Sequence, residues 1–77
     1  MPKLTPVHYE KLIKLFELDG FQIARKRGDH IRMTKPGVRR PIVIKTSPRE
    51  VAVTHIKTNL TSAGMSRERY FELLEKM

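Results

Sequence analysis

Near the start of the chain, Tyr9, Leu12, Ile13 and Phe16 recur at helical spacing, and Lys11, Lys14 and Glu17 fall on the other side. That is an amphipathic helix with one apolar stripe. Thr5 is placed to cap it, Pro6 suits its first position, and Gly20 stands just past its end. The period then drops to two. Phe21, Ile23 and Arg25 alternate with Gln22, Ala24 and Lys26, which predicts a half-buried strand whose far end emerges into solvent. Gly28-Asp29 is a two-residue hairpin signal, with glycine supplying the positive φ of such turns. Beyond it, Ile31 and Met33 alternate with His30, Arg32 and Thr34. Burying the first pair places the other three on the solvent side. Pro36-Gly37 marks a second turn, and "RRPIVIKT" reads as a third strand with Pro41 at its start or edge.

Helical spacing returns after Ser47-Pro48, with Ser47 as the expected cap. Val53, Ile56, Leu60 and Ala63 form the apolar stripe, His55 lies on the exposed side, and Gly64 closes the helix. A short third helix follows in "MSRERYFELLEKM", capped by Ser66 and anchored by Tyr70 or Phe71 and by Leu74. The expected fold is therefore α+β, in the order α-β-β-β-α with a short C-terminal helix, as one domain over residues 1–77. A three-stranded antiparallel sheet must cover its apolar face, and helices packed on that one face do so. The opposite face is left wet.

Charge gives that wet face a character. Sixteen Lys and Arg oppose eight Asp and Glu, for a net charge of +8. Eight of the cations (Arg25, Lys26, Arg27, Arg32, Lys35, Arg39, Arg40 and Lys45) fall between residues 25 and 45, where Asp29 is the single acid. A basic sheet face suits a polyanion, and phosphate contacts of this kind weaken steeply with salt. Tyr9, Phe16, Phe21, Tyr70 and Phe71 lie outside the cationic strands, so recognition through backbone and shape fits better than base stacking.

Other classes are less well supported. A chain this short buries only roughly 60% of its unfolded surface, and with no cysteine it has neither disulfides nor thiolate metal sites to reinforce the core. His8, His30 and His55 lack metal-ligand spacing, and no phosphate-cradling glycine loop or nucleophile elbow is present, so no metal or cofactor is expected. No apolar run approaches the ~20 residues of a membrane span, and "MPKLTPVHYE" does not read as a signal peptide. A cytoplasmic protein that does not bind membranes is the simplest expectation.

His30 is the residue on the basic face with chemistry to offer. Imidazole titrates near neutral pH and can take a proton from a ribose 2′-hydroxyl. Neighbouring guanidinium and ammonium groups can stabilise the charge that develops on the phosphate. A water, or a lysine such as Lys26 or Lys45, would protonate the leaving oxygen. The residue types permit this chemistry without singling it out.

Two segments narrow the choice. "LIKLFELDGFQIARKRGDHIRM" and "PIVIKTSPREVAVTHIKTNLTSAGMSRERYFELL" together resemble the HicA toxins, also called the YcfA-like family. The matching features are the L-x-x-x-x-G-F of Leu15, Gly20 and Phe21 at the end of the first helix, the G-x-H after the first strand, the apolar third strand, and I-x-x-x-L-x-x-A-G-M-S closing the second helix. The resemblance implies a double-stranded-RNA-binding-domain-like fold. It also implies an mRNA interferase of a type II toxin–antitoxin system, neutralised by an acidic HicB-like antitoxin. His30 then stands at the family's catalytic position, on the turn made by Gly28 and Asp29. The family commonly has serine where this chain has Asp29, whose carboxylate could face the phosphate or turn away. Two readings outside catalysis remain open: a non-catalytic RNA-binding module of the same fold, and a helper domain that binds an acidic protein.

Overall fold

A computed structural model of the chain describes residues 3–77. The first element is a two-residue strand, β1 (Val7–His8), followed by α1 (Tyr9–Leu18). A meander of β2 (Gln22–Arg27), β3 (His30–Thr34) and β4 (Ile42–Lys45) comes next, then a second two-residue strand, β5 (Glu50–Val51). The helices α2 (Val53–Ala63) and α3 (Arg67–Glu75) complete the fold. The meander is an antiparallel sheet in the order β2-β3-β4, and β1 pairs separately with β5. The chain is thus α+β, and the expected α-β-β-β-α order is present with one small ribbon added.

That ribbon corrects two helix starts. Val7 and His8 are extended and pair with Val51 and Glu50, so the first helix begins at Tyr9 rather than after Thr5. Its cap is His8, whose Nδ1 accepts the amide N–H of Glu10 at 3.2 Å. The Tyr9 N–H goes to the carbonyl of Arg49, 2.8 Å away, so α1 is tied to the second half of the chain from its first residue. Likewise Ser47 caps no helix. Residues 50 and 51 satisfy their backbone on β1 and bury Val51, which delays α2 to Val53 behind an Ala52 cap that makes no side-chain hydrogen bond. Short-range helix signals lost here to a strand pairing between residues more than 40 positions apart.

The core lies between the sheet and its helices. Leu12, Leu15 and Phe16 of α1, Met33, Ile42 and Ile44 of the sheet, and Ile56 of α2 are all within 1% of complete burial. Phe21 follows α1 directly and meets Phe16 edge to face, with ring centroids 5.4 Å apart. The α2 C-terminus closes as anticipated: Gly64 has φ 66°, and the Met65 N–H reaches back to the carbonyl of Leu60. In α3, Ser66 caps as expected, its Oγ accepting the Arg69 N–H at 3.1 Å; Tyr70 and Leu73 are the fully buried anchors, and Phe71 and Leu74 pack partly buried against the core. Among the described residues, no helix is long and apolar enough to cross a membrane.

Candidate functional site

The exposed face of the meander is assembled by one tight turn and one irregularity. Gly28 and Asp29 form a two-residue loop that leaves Arg27 paired with His30. Gly28 has φ 57°, and no non-glycine residue in the described chain has a positive φ. This is the type II′ arrangement, with glycine first, whose twist matches that of the flanking strands. A second fastening comes from behind: the Thr46 N–H donates to the Asp29 carbonyl at 2.8 Å, and the Thr46 Oγ1 lies 3.3 Å from the same oxygen. The turn is thereby held to the chain leaving β4.

The irregularity is a β-bulge. Ile23 pairs with Met33 and Arg25 with Arg32, so Ala24 is the extra residue. It resolves a conflict of parity. Ile23 must share a face with buried Met33, while Arg27 sits opposite His30 on the wet face, yet 23 and 27 would lie on one face of an unbroken strand. The bulge changes phase between them. Arg25 and Arg27 therefore join His30 and Arg32, and Lys26 is placed opposite Ile31 on the helix side of the sheet. Uninterrupted alternation grouped Arg25 with Phe21 and Ile23; that grouping is corrected.

Two rows of side chains result. Arg27, His30 and Lys45 are successive cross-strand partners over β2, β3 and β4; Arg25, Arg32 and Val43 form the next row. Directly opposed residues on one face have Cβ atoms roughly 4.5–5.5 Å apart, so His30 stands between a guanidinium and an ammonium within side-chain reach. His30 is about half exposed, at 49% of its side chain, and its Nδ1 lies 3.1 Å from the Asp29 Oδ1. Asp29 therefore turns its carboxylate to the imidazole. The carboxylate lies on the Nδ1 side of the ring, and Nε2 is the nitrogen away from it.

The remaining cations are dispersed. Lys35, beyond β3, points back to the body of the fold: its Nζ is 3.4 Å from the Asp19 Oδ2 and 5.7 Å from the centroid of Phe21. Arg39 and Arg40 are exposed in the loop before β4, at the opposite end of the sheet from the Gly28-Asp29 turn. Of the eight cations singled out from sequence, four (Arg25, Arg27, Arg32 and Lys45) share the face with His30. Lys26, Lys35, Arg39 and Arg40 do not converge there. His8 is committed to its helix cap, and His55 is exposed on α2. Among the described residues, no three His, Cys, Asp or Glu side chains are grouped to hold a metal.

This arrangement can hold an anionic backbone over a base-competent imidazole, with cations on both flanks. Sequence reading missed the Asp29–His30 contact and the clamp from Thr46. The parity conflict between Ile23 and Arg27 was nevertheless a usable signal for the bulge. Comparison with protein families returns a match over residues 9–65, about three quarters of the chain, to the model described as "HicA toxin of bacterial toxin-antitoxin". No curated protein matches the chain.

Proposed function

Because the chain belongs to the HicA toxin family, and so is the toxin of a bacterial toxin–antitoxin pair, we propose that it is a ribonuclease that cleaves mRNA through His30. The observation that carries this reading is the strand register, which seats His30 between Arg27 and Lys45 on an exposed cationic face. His30 Nε2 acts as general base on a ribose 2′-hydroxyl. The 2′-oxygen then attacks the adjacent phosphorus, and the bond from phosphorus to the 5′-oxygen breaks. Products are a 2′,3′-cyclic phosphate and a 5′-hydroxyl end. Arg27 and Arg32 stabilise the charge on the phosphoryl oxygens as it grows.

The leaving 5′-oxygen needs a proton. Lys45 is the lysine paired directly across from His30 and takes that role, whereas Lys26 is on the other side of the sheet. Asp29 stabilises the imidazolium that forms when His30 takes its proton. In-line attack needs a nucleotide free of a duplex stack, so the substrate is single-stranded or locally unpaired RNA. The cognate antitoxin is a HicB-like protein whose acidic surface covers the basic rows.

Expression of the wild-type protein and of His30→Ala in a bacterium tests the reading. Wild type arrests growth and degrades mRNA; His30→Ala accumulates and does neither; an acidic antitoxin relieves the arrest. Equal arrest by both proteins would remove His30 from the chemistry. RNA binding without cleavage by wild type would favour the non-catalytic binding module instead.

A further inference from the structure

Beside the cationic rows, over the free edge of β4, lies a groove of about 350 Å³. Its sheet-side wall is Pro41 and Val43, and Val43 is a large apolar side chain left 46% exposed at the end of the Arg25–Arg32 row. The opposite wall is α2, which presents Thr54, Thr58 and Ser62 at intervals of four, with His55 and Asn59 beside them. Residues four apart share a helix face, so the wall is a continuous strip of hydroxyl, imidazole and amide groups. No lining residue is acidic.

Asn59 is the feature that burial alone does not explain. It is only 4% exposed and lines the groove, yet among the described residues its Nδ2 has no hydrogen-bond partner. An amide buried without a partner is costly in a folded domain. The Nδ2 is itself closed off from solvent, so a turn about χ2 is what would bring it to a ligand edge in the groove and give it a partner.

We infer that this groove is a base-binding subsite, which takes one nucleobase of the RNA strand held on the cationic face. The inference rests on the proposed RNA-cleaving function and adds a source of sequence preference to it. The volume is at the lower end of small-ligand sites, enough for one planar heterocycle. Val43 and Pro41 give the apolar contact for the base plane, His55 can stack on it, and Asn59 with Ser62 reads its polar edge. Location agrees: Val43 is the diagonal neighbour of His30, roughly 7–8 Å away across the strands. A base in the groove would thus belong to a nucleotide next to the one whose phosphate sits over His30.

The test uses two uncleavable strands of equal length and charge, a 2′-O-methyl RNA hexamer and an abasic sugar-phosphate hexamer, with binding followed by fluorescence anisotropy at low salt. The base-bearing strand should bind wild type about tenfold more tightly, the scale of one well-held base. Ser62→Phe, which fills the groove, should shrink that preference to within about twofold while leaving abasic affinity unchanged. Because Ser62 is half-buried, wild type gives an independent readout. The Asn59 side-chain amide resonances should shift on addition of the base-bearing strand and stay in place with the abasic one. Equal binding of both strands by wild type, or a preference that survives Ser62→Phe, would overturn the subsite and leave the basic face standing. Binding of neither strand would overturn the RNA-cleaving function and the subsite together.

Discussion

Salt dependence offers a quantitative check on which cations share a face. The register puts Arg25, Arg27, Arg32 and Lys45 on the exposed side with His30 and turns Lys26 to the other. Each phosphate neutralised on single-stranded RNA contributes about −0.7 to the slope of log K against log salt. Four cations therefore predict a slope of about −2.8, and about a 50-fold loss of affinity between 50 and 200 mM salt. All eight cations of residues 25–45 acting together would give about −5.6 instead. The measurement is anisotropy of a labelled 2′-O-methyl RNA in a KCl series, for wild type, Arg25→Ala and Lys26→Ala. Arg25→Ala should make the slope shallower by about 0.7, whereas Lys26→Ala should leave it within about 0.2 of wild type. If Lys26→Ala changes the slope as much as Arg25→Ala does, the bulge at Ala24 has been assigned the wrong consequence.

Three other substitutions test separate parts of the account. Tyr70 is 1% exposed, with a hydroxyl that has no partner among the described residues, so Tyr70→Phe should be neutral or stabilise the fold by up to about 1 kcal/mol in urea titrations at pH 7. Burial raises the Tyr70 phenol above its ordinary value, so the folded state holds the proton more tightly than the unfolded chain. Wild-type stability should then fall as pH rises past about 10, and Tyr70→Phe should flatten that fall; identical alkaline profiles would contradict it. Gly28→Ala meets no atom within 4 Å at its new Cβ but inherits a φ of 57°, so thermal unfolding should report a loss of about 1–2 kcal/mol, with Gly28→Asn milder. Asp29→Asn keeps the shape of the turn and removes the charge beside His30. Its kcat should drop about fivefold at unchanged KM, the ~1 kcal/mol of a solvent-exposed pair; an unchanged kcat would deny the carboxylate its role.

Most of the architecture was legible because it rests on local periodicity. Leu12, Ile13 and Phe16 are buried from α1, Ile31 and Met33 from β3, Ile42 and Ile44 from β4, each at the spacing its element demands. Gly28, Gly64 and Ser66 act where turn and cap chemistry placed them. The illegible parts depend on partners distant in sequence. Nothing near Val7 or Glu50 announces that they lie on paired strands, and Thr5 and Ser47 are sound caps until that pairing is known. The candidate site divides in the same way. The exposure of His30 follows from alternation with Ile31 and Met33, but the company it keeps depends on the bulge at Ala24. Charge clustering along the chain does not reveal placement: four of the eight cations face elsewhere or lie far from His30.

The central claim is that His30 removes the proton from a ribose 2′-hydroxyl. A DNA oligonucleotide carrying a single ribonucleotide, incubated in chelator with wild type and with His30→Ala, tests it at the bond concerned. Wild type should cut only 3′ of the ribonucleotide and leave a 2′,3′-cyclic phosphate and a 5′-hydroxyl, while His30→Ala should bind the strand equally well and leave it whole. Cleavage by His30→Ala at the wild-type rate, or wild-type products ending in a 3′-hydroxyl and a 5′-phosphate, would contradict the account.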